Sequence, residues 1–92
     1  MAQHQKMFKI RNKLGLHARP AALFVQTANR FKSEVEVEKE GVKVNGKSIM
    51  GIMTLAAGVG CDILVTIDGI DADEALNAIV ELFAGNFGEE TI

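Results

Sequence analysis

Leu14-Gly15-Leu16-His17-Ala18-Arg19-Pro20-Ala21 places a histidine between a turn glycine and a helical pattern whose first turn carries arginine and proline. Backbone N–H groups at a helix start lack intrahelical acceptors and lie at the positive end of the peptide dipoles, so an anion held there is stabilised. His17 stands where it could carry one. Imidazole is a nucleophile whose charge changes near physiological pH, and Arg19, two residues on, adds a planar cation that matches phosphate oxygens. His17 also falls outside the apolar periodicity of its neighbours, as an exposed residue should. The segment points to phosphohistidine chemistry.

Rival chemistries lack their parts. Two histidines and one thiol, with no His-x-x-His or Cys-x-x-Cys spacing, do not form a metal site, and no metal or other cofactor is expected. Gly58-Val59-Gly60 precedes a strand and has no following lysine, so it is not a nucleotide loop. His17 and Ser48 come without a recognisable orienting carboxylate or oxyanion motif, which leaves a hydrolytic triad unsupported. His4 has no comparable setting and is expected to be a mobile terminal residue.

The elements that would position His17 follow from apolar spacing. Phe8 and Ile10 alternate with Lys9 and Arg11 as a short strand. Ala21, Phe24, Val25, Ala28 and Phe31 share one face of a helix over about residues 18 to 31, with Pro20 tolerated in its first turn. Because a residue before proline is biased away from the helical region, Arg19 could instead be extended and the helix begin only at Pro20. Val35 and Val37, then Val42 and Val44, form a hairpin around Glu40-Gly41, and the glutamates at 34, 36, 38 mark a solvated face. Ser48 opens a second helix with Ile49, Ile52, Met53 and Ala56 at helical spacing. Cys61, Ile63, Val65 and Ile67 form a fourth strand. Asp71 to Glu74 has the form of a capping box before Ala75, Leu76, Ile79, Val80 and Phe83, and Gly85 ends that helix. The tail from Asn86 to Ile92, acidic at Glu89 and Glu90, is expected to fray.

The resulting order, β-α-β-β-α-β-α, predicts an α+β fold: a four-stranded, mainly antiparallel sheet covered on one face by three helices. Ninety-two residues with 48% apolar content suit a single domain spanning residues 1–92. A formal charge of −2, without a basic run or aromatic platform, sets nucleic acid aside as a partner. One cysteine allows no internal disulfide, and neither a signal peptide nor a membrane-spanning run is visible. A cytoplasmic location without membrane insertion is expected.

Ser48 reads as a plain helix N-cap contributing about 1 kcal/mol, or as a phosphorylation site, since a dianion is tolerated at a helix start. Met50 and Met53 fit either a core or an adaptable binding surface.

Gly15-Leu16-His17-Ala18-Arg19-Pro20-Ala21, followed by Gly46-Lys47-Ser48-Ile49-Met50-Gly51-Ile52-Met53, closely resembles HPr, the histidine-containing phosphocarrier family of the bacterial phosphoenolpyruvate-dependent sugar phosphotransferase system. The likeness runs from Phe8 to Phe83. It implies an open-faced sandwich with strand order 1-4-2-3. It further implies that His17 caps the helix and takes a phosphoryl group on Nδ1 from Enzyme I for delivery to sugar-specific Enzyme IIA components. Arg19 would stabilise the phosphate, together with the N–H groups of Ala18 and Arg19. Ser48 aligns with the serine modified by an ATP-dependent HPr kinase/phosphorylase, and Ile49, Met50 and Met53 with the docking patch for partners. Leu14, where relatives often carry a small polar residue, and a slightly longer tail are departures. The expected protein is a monomeric, stoichiometric carrier and not an enzyme. A regulatory module acting through Ser48 on a kinase or transcriptional regulator is the alternative, and a small phosphatase ranks third because no water-activating base or metal site is evident.

Overall fold

Alternating apolar side chains give the strand segments an inward face, buried at Val35, Val37, Ile63, Val65 and Ile67 but exposed at Val42, and those faces join in one antiparallel sheet. The computed structural model describes residues 2–89. In chain order they form β1 (Ala2–Lys9), α1 (Ala18–Ala28), β2 (Glu34–Lys39), β3 (Val42–Asn45), α2 (Ile49–Thr54), β4 (Asp62–Gly69) and α3 (Ala72–Ala84), then a 3₁₀ turn at Asn86–Gly88. The strand order is β1-β4-β2-β3, as the family resemblance implied. Phe8 lies opposite Ile63, and Val37 and Val35 lie opposite Val65 and Ile67, so the buried side chains of adjacent strands fall in rows.

The helices cover this face with Ala21 and Phe24 of α1, Ile52 of α2, and Ala75, Ile79 and Phe83 of α3, all buried. Phe83 ties the layers together: its ring stacks on Phe8 at 4.2 Å and meets Phe24 edge-on at 6.2 Å. The other sheet face carries polar side chains, including Gln3, Glu34 and Asp68, and faces water. This is the antiparallel sheet covered on one face that the strand periodicity predicted, and the open-faced sandwich that the resemblance implied. At the β2–β3 turn Glu40 and Gly41 both take positive φ, 51° and 84°, which suits the twist of a two-residue hairpin.

Four expectations need correction. β1 begins at Ala2, well before Phe8, because the eight residues of β4 provide a hydrogen-bonding partner along its whole length. His4 is therefore not a mobile terminal residue: it sits in β1 and pairs with Asp73 in the first turn of α3. α1 ends at Ala28 and not Phe31, since its last turns tighten to bonds from Arg30 N–H to Thr27 O and from Phe31 N–H to Ala28 O. α2 ends at Thr54, and Ala56 lies beyond it at φ 48°; Lys39 Nζ donates to the carbonyls of Leu55 and Ala56, 3.0 and 3.3 Å away.

The capping box at α3 does not form either. Asp71 occupies the N-cap position, but its carboxylate turns to the α1–β2 connection and accepts from Lys32 N–H at 2.8 Å, Ser33 N–H at 2.9 Å and Ser33 Oγ at 2.5 Å. These donors favour the ionised form, led by the Ser33 hydroxyl and the Lys32 N–H, and hold the carboxyl at about 2 against an ordinary 3.8. A depressed acid contributes stability that is complete above its unfolded value and is lost as pH falls through its folded one. Asp71→Asn should therefore lower the melting temperature near neutral pH. Thermal melts followed by circular dichroism should show the difference from the unsubstituted chain shrinking below pH 3.8 and closing near pH 2.

Candidate functional site

The loop between β1 and α1 is held by its backbone. Asn12, 1% exposed, donates from Nδ2 to Gly15 O at 2.6 Å, and Gly15 N–H returns to Asn12 O at 3.0 Å. Gly15 has φ +70°, and a Cβ there would lie 2.6 Å from Ala57 O and 2.8 Å from Gly58 Cα. Only glycine fits that approach. Leu16 is buried, and its N–H bonds the same Ala57 carbonyl at 2.8 Å. The chain thus reaches His17 in a fixed direction.

His17 is the N-cap of α1, with extended backbone at φ −77°, ψ −172° and no side-chain capping bond. Arg19 is helical, and its place in the first turn with Pro20 settles the start of α1 at Ala18. By helix geometry the N–H groups of Ala18 and Arg19 have no intrahelical acceptor, and Pro20 has no N–H to satisfy. The arrangement leaves two donors and a dipole end beside the imidazole. Arg19 is exposed and joins Lys13, Leu14, Gly88 and Glu89 around an open depression of about 420 Å³.

The feature absent from the sequence expectations is Glu89. His17 Nε2 lies 3.1 Å from Glu89 Oε1 and 2.9 Å from Oε2, and Asn12 Nδ2 donates to Oε1 at 3.0 Å. Burial raises the Glu89 carboxyl, but the hydrogen bonds from Asn12 and His17 and the charges of His17 and Arg19 outweigh it, leaving the group below the ordinary carboxylate range. Among the described residues His17 Nδ1 has no hydrogen-bond partner.

The expected fraying of the tail fails for residues 86–89. Phe87, 3% exposed, packs edge-on against Phe83 at 4.9 Å and anchors the segment that brings Glu89 to His17. An aromatic residue followed by glycine in an otherwise polar tail was the available signal. Glu90 to Ile92 lie outside the described residues.

Ser48 caps α2: its Oγ accepts from Gly51 N–H at 3.0 Å, and the residue is partly exposed. Ile52 supplies the buried face of α2, while Ile49, Met50 and Met53 are exposed at 41%, 72% and 39%. The methionines are surface residues and not core. Leu14, at 72%, is a further exposed apolar side chain, next to the His17 loop. No group of three or more His, Cys, Asp or Glu that could hold a metal ion occurs among the described residues.

Residues 4–85 match the family model for the PTS HPr component phosphorylation site. The chain belongs to the HPr family. It is 53% identical to the phosphocarrier protein HPr of Neisseria meningitidis serogroup A over 85 residues, covering 92% of this chain and 96% of that protein. The crystal structure of HPr from Thermoanaerobacter tengcongensis superposes with a TM-score of 0.90 at 52% identity, covering 95% of this chain and 98% of that one. The crystal structure of Crh from Bacillus subtilis, a catabolite-repression protein described as a dimer with a swapped domain, matches at 49% identity and a TM-score of 0.68 over the full length of both chains. HPr proteins carry phosphoryl groups and are not catalysts, which sets the phosphatase reading aside.

Gly15→Ala tests the backbone contact on which this site rests. Left-handed φ alone costs a non-glycine residue about 1–2 kcal/mol, and the clash with Ala57 O adds to it. Urea unfolding should show a loss above that range.

Proposed function

We propose that this chain is a stoichiometric phosphocarrier of the sugar phosphotransferase system, spanning residues 1–92 as one domain. It accepts a phosphoryl group on Nδ1 of His17 from Enzyme I and passes it to Enzyme IIA components. The single observation that carries this reading is the position of His17: a partly exposed imidazole at the N-cap of α1, whose Nδ1 has no hydrogen-bond partner among the described residues. Phosphoryl transfer needs in-line positioning and charge stabilisation more than covalent help from the carrier. Here the nucleophile, the donors of Ala18 and Arg19, and the Arg19 guanidinium supply the carrier's share, while the partner supplies the rest. No cofactor of its own is required. The setting is cytoplasmic and the chain acts as a monomer, a reading that the pairing of β1 with β4 of the same chain supports.

The test is incubation with Enzyme I and phosphoenolpyruvate. The native chain should gain an acid-labile, base-stable phosphoramidate, and His17→Ala should gain none. Undiminished labelling of the alanine variant would refute the assignment.

The likeness to Crh supports a second, regulatory role through Ser48, with an HPr kinase/phosphorylase and a transcriptional regulator as partners. Ser48 stands at a helix start that accepts a dianion, and the exposed Ile49, Met50 and Met53 that follow form the surface proposed for docking. A partner surface that receives the Arg19 region should be acidic, so phosphate on Ser48 would repel it at short range. With Ser48 phosphorylated, the second-order rate of transfer from Enzyme I should fall by roughly tenfold or more, equivalent to about 1.4 kcal/mol or more, while the circular dichroism spectrum stays unchanged. Equal rates for the two forms would leave Ser48 as a helix cap alone.

A further inference from the structure

The carboxylate on His17 is delivered by an unusual stretch of backbone. After α3, Asn86, Phe87 and Gly88 take φ of 51°, 57° and 71° in succession, so two consecutive non-glycine residues lie in the left-handed region. Such conformations cost of order 1–3 kcal/mol each and persist only where the surroundings over-determine them. Burial of Phe87 against Phe83 does so here. Hydrogen bonds from Gly88 N–H to Gly85 O and from Glu89 N–H to Asn86 O, each 2.9 Å, complete the reversal.

At its end Glu89 is held from two sides, by the buried Asn12 amide and by the His17 ring. Its side chain is only 12% exposed, too enclosed for an incidental surface ion pair. Asn12 also bonds Gly15 O, so one buried amide ties the carboxylate to the loop that aims His17.

We propose that Glu89 is the positioning residue of the phosphoryl-transfer site, keeping the imidazole proton on Nε2 and the Nδ1 lone pair free to take the phosphoryl group. An imidazole with one nitrogen bonded to a carboxylate donates its proton there and reacts through the other, the logic by which a buried acid orients a catalytic histidine. In the transfer step Nδ1 gives its lone pair to the incoming phosphorus, and the bond from phosphorus to the donor breaks, its electron pair leaving with the donor. The proton stays on Nε2. The ring thereby gains a positive charge, which the ionised Glu89 balances at its far nitrogen. The developing phosphate charge is met on the other side by Arg19 and the α1 donors.

This assignment rests on the phosphocarrier reading but can fail separately from it. In the full-length chain, the His17 Nε2–H should give an observable, exchange-protected imidazole resonance in ¹H–¹⁵N spectra, a measurement that needs no partner protein. Glu89→Ala should lose that resonance. Its single-turnover rate of phosphorylation by phospho-Enzyme I should fall roughly tenfold or more, by analogy with a metal-bound histidine deprived of the partner on its second nitrogen. Glu89→Gln, which keeps an acceptor of the same shape but no charge, should retain the resonance and transfer at an intermediate rate. It also reports on positioning should the alanine variant fold poorly.

A protected resonance and native transfer rate in both variants would overturn the proposal. So would the absence of the protected resonance from the unsubstituted chain. Failure of that chain to accept phosphate at all would instead overturn the phosphocarrier reading.

Discussion

Gly15 lies against the carbonyl of Ala57 with no space for a Cβ, and this contact determines where α1 begins. Leu16 N–H takes the same carbonyl, so the loop leaves β1 and meets the segment after α2 through backbone alone. Everything the site needs is downstream of that approach: His17 at the N-cap, the first-turn N–H groups open to an anion, and Arg19 on the exposed side of the helix. Because Ala57 lies three residues beyond the end of α2, the same contact ties the histidine loop to the helix that Ser48 caps and that carries Met50 and Met53.

The site balances charge at short range. A helix start, a guanidinium and an imidazole favour an anion, and without phosphate the Glu89 carboxylate already supplies one at Nε2. Since Glu89 engages Nε2, it satisfies part of the positive field without occupying Nδ1, the nitrogen proposed to carry phosphate. The fold thus separates two anion requirements that would otherwise compete. The carboxylate sits between Asn12 and the ring, and the N–H groups of Ala18 and Arg19 have no intrahelical acceptor; in the proposed carrier they are the donors kept for phosphate.

Local rules made much of this legible. Gly15, His17, Arg19 and Pro20 fall within six residues, and turn chemistry, capping and helix polarity act over that distance. Ser48 and its bond to Gly51 are local in the same sense. The sheet was readable because Ile63, Val65 and Ile67 recur at every second position, with Leu64 the one apolar residue on the opposite side. What escaped was tertiary. Glu89 reaches His17 from 72 positions away through a reversal built on two left-handed non-glycine residues, for which no local propensity exists. Asp71 has the sequence of a helix cap, yet three donors from the α1–β2 connection outcompete the helix for its carboxylate. His4 lies in a polar stretch with no strand signal and is ordered because β4 extends far enough to pair with it.

The central claim is that the chain presents Nδ1 of His17, and not Nε2, to phosphorus at the start of α1. Long-range ¹H–¹⁵N spectra of the histidine-labelled, phosphorylated protein test it most directly, since phosphorus coupling identifies the nitrogen that bears the group. Phosphorus on Nδ1, with the proton retained on Nε2 and the Ala18 and Arg19 amide resonances displaced, is the predicted result. Phosphorus on Nε2, or an unchanged Ala18–Arg19 pair, would contradict the account.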